Sequence, residues 1–360
     1  MIIFYIGILF LSLWKIKFKR HGFFNDFTSK EQSDSIKGIF ILFVFVRHIL
    51  QYIIQSGYSF SSVTEKLFLK IDSQLDQLIV VMFLFYSGFG VMESILHKGF
   101  PYIKEMPLKR ILPTLLNFDI AVLAFFILNL TLGIEMSPKE VALSFVAWDS
   151  LGNSNWYIFD IILCYITTWI SFLITAKHKA LCIRKSNYFS LFIFIVILII
   201  LGLTKKIWWY NTLFSFFAGV LFSQKKEQII PFLKKNYAVL LFVTTLAFIG
   251  LHLIHHNVFG LKFNLESIFF ALSVILFTMK VKINNKALQW LGKNLFPLYI
   301  YQRLAMILLY EMDNGIFVKN HPVFYMSICF VSMILIAALY KFRQINFQKK
   351  RQVKPSNKFI

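Results

Sequence analysis

The chain is short of charge. Of its 360 residues 15% are charged, against 58% that are hydrophobic. A soluble domain carries about a quarter charged residues, so this shortage excludes an ordinary water-soluble protein. Acids are scarcer than bases: 17 Asp and Glu face 38 Lys and Arg, for a net charge of +21. That excess does not indicate nucleic-acid binding, because the basic residues cluster in short loops between apolar runs, as the positive-inside rule predicts. Cysteine is nearly absent. Cys164, Cys182 and Cys329 have no metal or redox spacing, which leaves them as apolar fillers and gives no reason to expect a metal. What is plentiful is phenylalanine, at 43 residues.

Apolar runs lie near 2–14, 38–55, 76–96, 111–133, 156–176, 188–204, 207–223, 237–255, 264–279, 294–311 and 322–340. Most approach the ~17–25 residues that a spanning helix needs. The expected fold is all-α, a polytopic membrane helix bundle with about 10–11 transmembrane helices. Run 2–14 is short and lacks a basic flank and a cleavage site, so it is not read as a signal peptide. Only Lys205-Lys206 separates runs 188–204 and 207–223, which predicts a tight hairpin. With the loop 15–37 set inside, the inner segments hold 29 of the 38 basic residues and the outer loops seven. That places the C-terminus of a multi-pass membrane protein in the cytoplasm. Three regions are expected: an extra helix and basic loop (1–34), the main membrane unit (35–340), and a basic tail (341–360), read as disordered and drawn to anionic lipid.

Polar residues within the apolar runs carry the functional reading, because ionisable groups at that depth are costly. Lys37 and His48 are eleven residues apart, which returns to nearly the same helix face about 16 Å further on. Lys37 is a candidate for holding phosphates, or a plain snorkelling anchor. His48, beside Arg47, is a candidate general base. Ser87 lies in the small-residue run Ser87-Gly88-Phe89-Gly90, which also suits close helix packing. Arg110, with Pro113 three residues on, stands at an inner helix start. It could clamp a phosphate or serve as an interfacial anchor. Asn155, Trp156, Tyr157 and Asp160 open the fifth run at its outer end, a mixture that suits a sugar. Tyr301, Gln302 and Arg303 reach about the depth of His48 from another run, following Lys293 at its inner start. The expectation is a hydrated cavity, reached from the cytoplasm, with His48 and Gln302 on its wall. Asp119 is a candidate partner for Arg47 or Arg303, and Glu93 for a basic loop residue. His252, His255 and His256 form the weakest cluster, with no acid or cysteine near them in sequence.

In this order the segments resemble the membrane acyltransferase-3 family, whose bacterial members O-acetylate exported glycans. The family's basic residue, ten residues, then histidine is matched by Lys37 and His48, with Lys for the usual Arg. Ser87-Gly88-Phe89 and Asn155-Trp156-Tyr157 match two further motifs. Arg110 and Pro113 match half of an Arg-x-x-Arg-x-x-Pro loop, with Pro107 at the first Arg position. Gly292, Lys293, Pro297 and Tyr299 match the closing segment, where Gln302-Arg303 stands in place of a frequent histidine. The resemblance implies an acyl-CoA-dependent O-acetyltransferase. Acetyl-CoA would be held by Lys37, Arg110 and Lys293. The catalytic residues would be His48, Arg47, Arg303 and Gln302. A glycan or lipid-linked sugar would meet Ser87, Asn155, Trp156, Tyr157, Asp160 and Tyr301. The lipid bilayer and a second copy of the chain, as a homodimer, are the other partners implied. The alternative reading is a transporter or flippase, or an assembly subunit of a glycan-export system, without chemistry.

Overall fold

The computed structural model describes residues 1–178, 180–254 and 260–353, with side chains given through residue 343. The helices are α1 (Ile3–Leu13), α2 (Lys30–Gln55), α3 (Val63–Leu75), α4 (Leu78–Lys98), α5 (Phe100–Met106) and α6 (Leu112–Leu132). They continue with α7 (Pro138–Ser144), α8 (Trp156–Thr175), α9 (Ile183–Thr204), α10 (Phe214–Gln224), α11 (Lys226–Lys235) and α12 (Tyr237–Leu253). The last are α13 (Leu261–Lys280), α14 (Lys286–Lys293), α15 (Leu295–Glu311), α16 (Ile316–Asn320) and α17 (Pro322–Val353). Among the described residues seven helical stretches are long and apolar enough to cross a membrane, or eight if α11 and α12, bent by 99°, form one span. The protein is an all-α polytopic membrane bundle.

The remaining apolar runs form shorter helices, each for a physical reason. At 1.5 Å per residue, α1 and α10, with 11 residues each, reach about 16 Å, half of a ~30 Å hydrocarbon core. Run 207–223 opens not as helix but as a single 3-10 turn at Ile207–Trp209, so the expected tight hairpin is a longer, irregular connection. Lys205 holds it. Its Nζ donates to the Trp148 carbonyl (2.6 Å) and lies over the Trp148 and Trp209 rings at 4.1 and 4.2 Å. Burial there pushes the Lys205 ammonium pKa down. Asn264 of α13 accepts from Phe214 N and donates to the Tyr210 carbonyl, so the non-helical backbone keeps its hydrogen bonds. Such backbone is tolerated at membrane depth where it is buried in protein or lines a cavity. At the other end of the chain, α17 continues in helix to Val353, through much of the segment read as a disordered tail.

α2 is the hub. Ser29 caps its N-terminus by accepting from Gln32 N (3.2 Å). Gly38 of α2 meets the Leu288 carbonyl of α14, and Gly292 of α14 meets the Asp34 carbonyl of α2. A Cβ at either glycine would sit about 2 Å from that oxygen. α4 and α10 repeat the device: Gly88 faces the Phe216 carbonyl and Gly219 faces the Phe85 carbonyl, each with a Cβ-to-oxygen gap of 2.0 Å. Small residues let helix backbones touch where no hydrophobic drive separates helix from lipid. α9 and α12 instead present Phe192, Ile199, Leu203, Phe242, Leu246 and Leu253 outward, as lipid-facing surfaces do. One short ribbon departs from the helical plan. Ile16–Phe18 (β1) pairs antiparallel with Val281–Ile283 (β2), and Gln32 closes it by bonding Val281 O and Ile283 N. Beside it Asp26 is ion-paired with Lys282, whose hydrogen bond holds the Asp26 carboxyl below its ordinary range.

Candidate active site

Two cavities lie towards opposite ends of the bundle. The larger, of about 560 Å³, is at the end away from the basic loops and has His48, Arg47, Arg303, Asn155 and Trp156 on its wall. The other, of about 360 Å³, is at the basic end, bordered by Lys109, Arg110, Lys293, Tyr165 and Pro297. α15 and α8 serve both. Six residues of α15 separate Pro297 from Arg303, about 9 Å along the axis, and nine of α8 separate Trp156 from Tyr165, about 14 Å.

His48 is 8% exposed. Ser154 Oγ lies 3.5 and 3.4 Å from its two ring nitrogens, and the Tyr299 ring stands edge-on with centroids 6.0 Å apart. Arg47 is fixed by two carboxylates, Asp72 on α3 and Asp76 at the α3–α4 break (3.2 Å to the latter). Asp76 adopts φ 34°, ψ −126°, a conformation that L residues seldom take. Gln77 next to it donates to the Trp208 carbonyl (2.8 Å) and accepts from Asn211 (2.6 Å), which ties the break to the 205–213 connection across the cavity. Arg303 Nε donates to the Tyr52 hydroxyl at 3.2 Å, with its guanidinium over that ring. Two guanidinium groups and an imidazole thus share one polar cavity; Arg47's charge is offset by Asp72 and Asp76, whereas Arg303 is in no ion pair among the described residues and is the cation available to a developing oxyanion.

Several expected site residues lie elsewhere. Lys37 borders neither cavity and pairs with Asp34 at 2.7 Å, because α14 covers that part of the α2 face. Gln302 is 1% exposed and points away from His48's cavity. Its Nε2 donates to Tyr299 O, and its Oε1 has no partner. The cavity with His48 opens among residues distal to the basic loops, rather than beside the loops at which the expected entrance was placed. Asn155 borders the cavity, but its amide clamps the Ala147 and Asp149 carbonyls. Tyr157 is buried against Tyr299 (centroids 5.0 Å apart), with Ser87 beside its hydroxyl. Asp160 is fully buried and neither of its oxygens has a hydrogen-bond partner. Tyr301 packs on Tyr340, 6.0 Å between centroids. Asp119 pairs with neither arginine, and its Oδ1 has no partner. Glu93 does pair, with Lys226 at 2.7 Å. His252 contacts Glu266 (2.7 Å) and Gln74 (2.9 Å), so an acid is brought to it from α13, while His255 and His256 lie outside the described residues. No group of three metal-ligating side chains is found among the described residues.

Asp76, Gln77, Trp208 and Asn211 are not among the residues expected at the site from the sequence. Asp72 and Asp76, spaced i, i+4 just before a span that holds no other acid for four turns, were the legible signal for Arg47's partners. Ser154 directly precedes the expected Asn155, in the polar run Asn153-Ser154-Asn155. Nothing in the sequence marked Asn211.

The profile of the acyltransferase-3 family, described as an acyltransferase domain, matches residues 31–341. Searches of curated proteins and of solved structures returned no match.

Proposed function

The chain belongs to the acyltransferase-3 family of membrane acyltransferases, and from that premise we propose that it carries an acetyl or other short acyl group from acyl-CoA at one membrane face to a sugar hydroxyl at the other. The observation that carries this reading is the pair of cavities on α8 and α15, one basic and one holding His48. The basic cavity faces the cytoplasm, as does the C-terminus, in a bacterial cytoplasmic membrane. Lys109, Arg110 and Lys293 hold the phosphates of acyl-CoA there, and the family's Lys37 position acts instead in packing. Between the cavity-lining residues of α8 and α15 stand buried polar atoms without partners: both Asp160 oxygens and Gln302 Oε1. Unpaired buried polar groups are costly, and the amide N–H groups of a pantetheine arm are donors of the kind these oxygens lack.

The acceptor, an exported polysaccharide or lipid-linked glycan, enters the distal cavity. His48 takes the proton of its hydroxyl as the oxygen attacks the thioester carbonyl. Arg303, or Arg47 in the same cavity, stabilises the oxyanion. Its collapse breaks the carbon–sulfur bond, and the CoA thiolate leaves towards the basic cavity. Trp156 offers a face for a sugar ring.

The test compares acetylation of the surface glycan by NMR in cells with the wild-type protein and with His48→Ala. Loss of a general base lowers the rate by about 10²–10⁴-fold. The expected result is loss of acetyl signal while the protein stays inserted and the glycan still reaches the surface. Loss of the glycan itself would instead indicate a transporter, and unchanged acetylation would refute the assignment of His48.

A further inference from the structure

We propose that a third cavity, beside the His48 site, is a subsite for a protonated amine on the acceptor glycan, on the unit next to the hydroxyl that is acylated. The inference rests on the acyl-transfer reading above. This cavity, of about 220 Å³, is bordered by Glu135, Glu140, Glu311 and Asn129. It adjoins the larger one directly. Ser150 borders both, and the hydrogen bond from Arg303 to the Tyr52 hydroxyl joins a wall residue of one to a wall residue of the other. A chain of sugars with one hydroxyl at His48 passes over Ser150 into the smaller cavity.

The lining specifies the charge of what enters. Three carboxylates and no cationic side chain border this cavity. None of the three is in an ion pair among the described residues. Asn129 supplies a separate indication. It is 4% exposed, and its Nδ2 donates to the Leu151 carbonyl at 3.0 Å and reaches Met136 Sδ at 3.5 Å. Its Oδ1 has no donor, and a buried amide oxygen in that state calls for one. Apart from the Tyr52 hydroxyl, and the Ser150 Oγ and Asn129 Nδ2, which are already engaged with Asn153 and Leu151, the polar side-chain atoms here are acceptors. An ammonium brings three N–H donors and a positive charge. A carboxylate or phosphate on the same sugar unit would meet three like charges, which is discrimination by repulsion.

The test uses the intact protein in detergent, with the disaccharide of glucosamine, its N-acetylated counterpart and magnesium chloride as probes. The expected result is binding of the amine form about tenfold tighter than the N-acetylated form, a preference that shrinks as salt screens the carboxylates. Glu140→Gln combined with Glu311→Gln should abolish the preference without moving the melting temperature. If that variant does not fold, the salt dependence of the wild-type protein decides. Equal binding of the two disaccharides overturns the subsite, as does stabilisation by magnesium alone with no preference for the amine. In either of those cases, continued acylation of a glycan by the same preparation leaves the transferase reading standing. Amine preference with no acylation of any glycan removes the transferase reading, and with it the acceptor role assigned here.

Discussion

Arg47 is held in place by Asp72 and Asp76, and Asp72 is 3% exposed. Removing Arg47, whose side chain is 35% exposed, leaves the buried Asp72 carboxylate without its cation, at a cost below the ~3–5 kcal/mol of a fully buried pair. Arg47→Ala should therefore lower the melting temperature in detergent. Arg47→Met combined with Asp72→Leu should recover most of that loss without recovering acyl transfer. A single variant that melts like wild type would show that the pair is not needed for stability. His48, Arg47, Trp156 and Arg303 were legible in the sequence because ionisable and aromatic side chains stand out against an apolar run. Gln302 was misplaced for a geometric reason. Depth along a helix fixes the level of a side chain and not its direction: Arg303 reaches the cavity, whereas Gln302, about 100° round the helix, bonds Tyr299 O within the packing. Lys37 fails differently. It does share a helix face with His48, but α14, which lies about 250 residues further along the chain, covers the Lys37 end of that face.

Helices in this protein are placed by backbone contact more than by side-chain volume. Gly88 and Gly90 stand on the same helix in different surroundings: a Cβ at Gly88 would meet the Phe216 carbonyl at 2.0 Å, and one at Gly90 would meet nothing within 4 Å. Gly88→Ala should cost about 1–3 kcal/mol through overpacking, whereas Gly90→Ala should leave the melting temperature level or slightly higher. Equal effects would refute the close approach of α4 and α10. The small residues were visible in the sequence, but not their reciprocal partners, because a carbonyl carries no sequence signal. The short ribbon was missed because three-residue strands fall below any periodicity. Its ion pair is sensitive to pH in a definite direction. Lys282 holds Asp26 below its ordinary value of 3.8, so the contribution is full above that value and is lost as pH falls through the lower folded one. Pepsin cleavage within 15–29 should accelerate over that acid range in wild type and lose this dependence in Lys282→Met. A profile identical in both proteins would remove the pair from the account.

For the molecule as a whole, the sequence predicted a bundle but overestimated how many runs form full-length helices, since hydropathy does not distinguish a helix from the apolar connection that roofs a cavity. The two-sided arrangement can be tested with a membrane-impermeant maleimide on intact cells. In a background of Cys182→Ser, which leaves the buried Cys164 and Cys329, Trp208→Cys should react from outside. Lys293→Cys should react only after the cells are opened. Labelling of both from one side would reverse or abolish the assigned orientation.

The meeting of Asp34 and Gly38 with Leu288 and Gly292 brings together parts of the chain made far apart in time. During synthesis α2 enters the membrane with its docking surface vacant and must wait for most of the polypeptide to leave the ribosome before α14 arrives to fill it. Until then the early spans have no partner to lock them in register. A nascent chain halted before residue 286 should therefore be a substrate for membrane quality-control proteases, while a separately expressed C-terminal fragment bearing α14 should rescue it.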